Sequence, residues 1–154
     1  MKIHIVLFFA SIALSACASP VTPTASPTPD LASEARAMMS QYSLAVQKMD
    51  YQTIASFYLP DGAAYDNGQL QAQGPDAIRT FLKSFNGVVR VDQYQTKVTS
   101  AQVNGDTVTL TGTFQQQYTL LANNQSGASS GTFTVEWVRQ PDGKWLIKRI
   151  ETHE

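Results

Sequence analysis

Apolar positions recur with two different periods along this chain, and the change between them falls near residue 87. Leu31, Ala35, Met38, Met39, Tyr42, Ala45, Val46 and Met49 follow helical spacing, which predicts an amphipathic first helix. Asp50 is placed to cap a short second helix whose apolar face is Ile54, Phe57 and Tyr58, with Leu59-Pro60 as its stop. Ala63 to Asp66 reads as a short strand before the turn residues Asn67-Gly68. Pro75 then opens a third helix with Ile78, Phe81, Leu82 and Phe85 as its buried stripe, closed by Asn86-Gly87. Beyond that point the period falls to two. Val88–Val103, Thr107–Leu121, Thr132–Arg139 and Trp145–Thr152 read as strands, with hairpin turns at Asn104-Gly105-Asp106 and Pro141-Asp142-Gly143. The small polar run Asn123 to Gly131 is expected to be a flexible loop. The order predicts an α+β domain over residues 31–154, with three helices covering one face of a four-stranded antiparallel meander.

Two segments precede that domain. Ile5 to Ala13 is almost wholly apolar after the short basic start Met1-Lys2-Ile3-His4, and is too short for a spanning helix, which needs roughly 20 apolar residues. It has the length of a signal-peptide core. Leu14-Ser15-Ala16-Cys17 follows, and resembles the lipobox of bacterial lipoproteins. That resemblance implies cleavage after residue 16, a lipid on Cys17, and an anchor made stable by about 0.8 kcal/mol per buried methylene. Ala18, where an aspartate would imply inner-membrane retention, leads us to expect a place on the outer membrane facing the periplasm. Residues 17–30 then hold four of the seven prolines among Ser, Thr and Ala, the composition of an extended tether.

Charge and cysteine content narrow the chemistry. Eleven basic against twelve acidic residues, with Lys148-Arg149 the only adjacent basic pair, argue against a nucleic-acid partner. One cysteine and two histidines argue against an internal disulfide and a Cys/His metal site, so no metal and no cofactor is expected.

Three stretches carry a family resemblance: MDYQTIASFYLPDGAAYDNG from Met49, GPDAIRTFLKSF from Gly74 and FTVEWVRQPDGKWLIKRIETH from Phe133. Together they resemble the NTF2-like superfamily, in particular its SnoaL-like and DUF4440-like members. The resemblance implies a cone in which three N-terminal helices pack on a curved, mainly antiparallel sheet around an apolar pocket. It also implies candidate positions for ketosteroid-isomerase-like chemistry: Tyr42 on the first helix, Asp66 as the proton acceptor, and Glu136 as a neutral acid. His153 is a further candidate acid or base by likeness to SnoaL-like enzymes. Phe57, Tyr58, Tyr65, Tyr94, Phe114 and Trp137 are the expected pocket lining, with Tyr51 and Tyr118 as further aromatic candidates.

Each candidate has a plainer reading. Tyr42 lies mid-stripe and is buried in any case. Asp66 begins a turn-forming triplet. Glu136 alternates with Thr132, Thr134 and Val138, away from the more apolar face of Phe133, Val135 and Trp137. His153, expected on one strand face with Trp145, Ile147, Arg149 and Glu151, sits at a chain end that frays. The expectation is therefore a lipid-anchored envelope protein whose cone binds a small apolar or amphipathic ligand, or a protein partner, without catalysis. The alternatives are an isomerase, dehydratase or cyclase using Asp66 or His153, and a structural subunit with a filled core. The row Thr107, Thr109, Thr111, Thr113 and Gln115 is the expected dimer face.

Overall fold

The computed structural model describes residues 30–154; the apolar leader, Cys17 and the proline-rich segment lie outside the described residues. Helix α1 spans Leu31–Gln47, and the Asp30 side chain caps it by accepting from the Ser33 amide at 3.3 Å. Met49 in the left-handed region, φ 51°, turns the chain into α2, Tyr51–Ser56. Asp50 caps α2 twice, accepting from the Thr53 amide at 3.1 Å and the Thr53 hydroxyl at 2.7 Å. Helix α3, Pro75–Lys83, begins behind Gly74, whose φ of 81° only glycine adopts without strain, and Pro75 and Asp76 occupy its first turn.

Six strands follow one order across the sheet: β2 (Gln69–Gln73), β1 (Tyr58–Asp66), β6 (Trp145–His153), β5 (Gln125–Arg139), β4 (Thr107–Leu120), β3 (Val89–Asn104). All neighbours are antiparallel except β1 and β6, which run parallel with Ala64 opposite Ile150 and Asp66 opposite Thr152. The expected four-stranded meander is thus β3 to β6, and β1–β2 extends it past the last strand. Two expectations need correction. Leu59-Pro60 does not merely stop α2, because β1 already begins at Tyr58. The run Asn123 to Gly131 is not a loop: the chain turns at residues 121–124 and β5 starts at Gln125.

The physical reason for the second correction lies on the neighbouring strand. Gly127, Gly131 and Gly112 stand opposite Tyr118, Phe114 and Phe133 in the β4–β5 ladder. A Cβ at Gly127 would fall 2.5 Å from the Tyr118 ring, and one at Gly112 would fall 2.8 Å from the Phe133 ring. Each aromatic ring covers the backbone of a glycine that has no side chain of its own, so β5 looks like a loop in isolation.

The core lies between the helices and one sheet face. Val108, Leu110, Val135, Trp137 and Ile147 are fully buried there, against Ala35 and Met39 of α1. Trp145 is 5% exposed, and its indole N–H donates to Glu34 of α1 at 2.9 Å. The other face carries Thr109, Thr111 and Thr113 of β4 opposite Glu136, Thr134 and Thr132 of β5. No helix among the described residues is long and apolar enough to cross a membrane.

Candidate functional site

Where α1, α3 and the sheet diverge they leave a cavity of about 460 Å³. Tyr42 enters it from α1, Tyr58 and Asp66 from β1, Phe81 from α3, Tyr94 from β3, Phe114 from β4 and Thr152 from β6. A second cavity of about 500 Å³ adjoins it, sharing Val46, Leu82, Phe85 and Gln116 as wall. The second has Ile54, Val88, Val91 and Leu120 around it, and its residues Phe85, Val88 and Leu120 are solvent-exposed.

Polar groups in the first cavity are few. The Tyr42 and Tyr58 hydroxyls share a hydrogen bond of 3.0 Å, with the Tyr42 ring edge-on to Tyr58 and Phe57. Tyr94 stacks on Phe114 at 6.3 Å between centroids. Burial holds the Tyr42, Tyr58 and Tyr94 phenols above their ordinary value of about 10, and the mutual proximity of these groups adds to the rise for Tyr42 and Tyr94. All three are therefore neutral hydroxyls at neutral pH, able to donate as well as accept. Asp66, half-buried, accepts from the Thr152 hydroxyl at 2.9 Å on one oxygen, and the other lies 3.5 Å from the Asn67 amide nitrogen.

The structure separates the sequence candidates into three groups. Tyr42, Tyr58, Asp66, Tyr94 and Phe114 meet at the first cavity, which Tyr65 borders while its ring lies under Arg149 on the outer side; Tyr51 and Tyr118 line the second. Phe57 and Trp137 are not lining residues; they pack edge-on at 5.9 Å in the layer behind, with Trp137 fully buried. Glu136 and His153 stand on the opposite face of the sheet. Glu136 is in register with Thr109 and Arg149, and His153 lies 3.3 Å from Glu151. Alternation along β5 turns Glu136 outward between the buried Val135 and Trp137. On β6 the register with β5 shifts by one residue between Ile147 and Arg149, so the inward row passes from Trp145 and Ile147 to Ile150 and Thr152. That bulge parts Arg149, Glu151 and His153 from the face of Trp145 that simple alternation predicts for them. Arg149 closes the outer group, 2.8 Å from Glu151 and stacked 3.7 Å over the Tyr65 ring.

Sequence reasoning missed Thr152 and Gln71 as cavity residues. Gln71 lies on β2, a strand without apolar alternation, and Thr152 comes to Asp66 only through the parallel pairing. Among the described residues no group of His, Cys, Asp and Glu is arranged to hold a metal.

The SnoaL-like domain family matches residues 31–151. Among solved structures, a ketosteroid isomerase-like protein from Erwinia carotovora atroseptica superposes with a TM-score of 0.73 at 16% identity, covering 82% of this chain and 97% of that one. ActVI-ORFA from Streptomyces coelicolor gives a TM-score of 0.66 at 15% identity over 80% and 96% of the two chains. A protein of unknown function from Mycobacterium tuberculosis gives 0.66 at 24% identity over 77% and 72%. Among curated protein sequences none matches. These likenesses establish the NTF2-like cone.

Proposed function

The chain belongs to the SnoaL-like domain family, and from that membership we propose that its cone holds a small apolar or amphipathic molecule without transforming it, in a protein anchored to the cell envelope through Cys17. The observation that carries the binding reading is the open aromatic-walled cavity of about 460 Å³, a size and character typical of small-molecule sites. A structural subunit with a filled core would not leave that space. Native mass spectrometry of the purified full chain is expected to show an adduct that disappears on denaturation, and Nile red, a neutral apolar dye, should fluoresce on binding. Absence of both overturns the reading.

A second reading rests on a specific observation: Tyr42 and Asp66 line the same cavity. Asp66 would accept a proton alpha to a carbonyl while the Tyr42–Tyr58 hydroxyls hold the developing enolate oxygen. Glu136 and His153 take no part, being across the sheet. Deuterium uptake by a cyclic β,γ-unsaturated ketone, abolished by Asp66→Asn, would establish catalysis; exchange no faster than in buffer removes it.

The anchor is tested separately. Cys17→Ser should abolish the acyl mass and release the protein from membranes, and unchanged membrane retention would overturn the lipoprotein assignment. Ala18 supports the outer membrane as its address, with the domain facing the periplasm. The threonine face of β4 supports pairing with a second copy, which sedimentation of the full chain would detect as a concentration-dependent dimer.

A further inference from the structure

We propose that the molecule held in the cone is an organic cation, an ammonium group joined to an apolar body. This rests on the ligand-binding reading and adds the charge of the ligand to it. Among the described residues that line them, the charged side chains are Asp66 in the first and Glu154 at the edge of the second; neither cavity has a lysine, arginine or histidine in its wall. Asp66 has no ion-pair partner among the described residues, and Thr152 engages only one of its oxygens at hydrogen-bond distance below 3 Å. Arg149, which stands opposite Ala63 in the β1–β6 pairing, is committed elsewhere. It stacks on Tyr65 and bonds Glu151 on the far side of the sheet.

A carboxylate facing a partly enclosed apolar space attracts a positive group more strongly than it would in water. The same wall repels a carboxylate or sulfonate ligand and offers it no donor of positive charge. The aromatic lining adds to the preference. Tyr42, Tyr58, Tyr94 and Phe114 surround the space, and ring faces carry partial negative charge that attracts ammonium groups. The tyrosines, neutral phenols near neutral pH, preserve that attraction without adding a second full charge. The apolar body of such a ligand has its own compartment, since Val46, Leu82 and Phe85 form the wall common to both cavities. A head at Asp66 and a chain toward Val88 and Leu120 would set the charge against the carboxylate and the apolar body against aliphatic side chains.

Calorimetric titration of the purified full chain with three ligands of one chain length, decyltrimethylammonium, decanol and decanoate, tests this. The cation is expected to bind about tenfold more tightly than the alcohol, and the alcohol more tightly than the carboxylate. Asp66→Asn keeps an acceptor for Thr152 and should abolish the cation's advantage, so that decyltrimethylammonium and decanol bind the variant alike. If decanol binds and the cation binds no better, or if decanoate binds best, the cation assignment is overturned and the cavity reading survives. If the cation advantage persists in Asp66→Asn, Asp66 is not its source and the proposal falls. If none of the three binds, both readings fall together.

Discussion

Tyr42 shows how far a single residue could be read. Its place in the stripe of α1 was legible from spacing, and so was its burial. Its partner was not, because Tyr58 reaches it from β1 across a gap of sixteen residues, through strand placement that local pattern does not encode. Tyr42→Phe should cost about 1–3 kcal/mol, since it leaves a buried Tyr58 hydroxyl without a partner; urea midpoints measure it. The raised phenols also set an alkaline limit. Below their ordinary value near 10 the folded and unfolded chains are equally protonated, and the full stability is present. Above it the unfolded chain releases protons that the folded one retains, so stability falls as pH rises through the folded values. The urea midpoint should therefore drop steeply between about pH 10 and 12, and less steeply in Tyr58→Phe. Asp66 is the mixed case: the turn chemistry expected of it is present beside Asn67-Gly68, yet the same carboxylate lines the cavity.

Elements were legible where their own residues specify them. The caps Asp30 and Asp50, Pro75 at the start of α3 and the turns at Gly105 and Gly143 all act locally, and the structure has helices and turns at those places. Strand β5 failed that test because its first half borrows bulk from β4. This predicts an order among glycine substitutions. Gly112→Ala should be the more damaging, at about 2–3 kcal/mol or more, since its methyl would meet the Lys97 carbonyl oxygen as well as the Phe133 ring. Gly127→Ala should cost less, because the end of the Tyr118 side chain can swing aside. Equal midpoints for the two variants would contradict this account. Trp145 ties β6 to α1 through its burial and its bond to Glu34, so Trp145→Ala should lose about 3–5 kcal/mol in denaturant melts.

For the whole molecule, the division into a core-facing and a polar sheet face follows from alternation along β5, which sets Glu136 outside the cone. On β6 the division also needs the bulge near Lys148, which no residue type in that strand announces and which sends His153 outward and Thr152 inward. The strand order was beyond reach of any local pattern, because β6 lies between β1 and β5. That parallel seam fixes a chronology. The β3–β4, β4–β5 and β5–β6 ladders join neighbours in sequence and close short loops, whereas the Thr152 hydroxyl meets Asp66 over a separation of 86 residues. During folding the meander should form first and β1 should dock onto β6 last. The Asn67 amide, which donates to the Thr152 carbonyl at 2.8 Å, is a reporter for that event. Pulsed hydrogen exchange should find it protected later than the amides joining β4 to β5. The carboxylate in the cone thus takes up its position only when the rest of the sheet is complete, so an unfinished chain has no binding site to occupy.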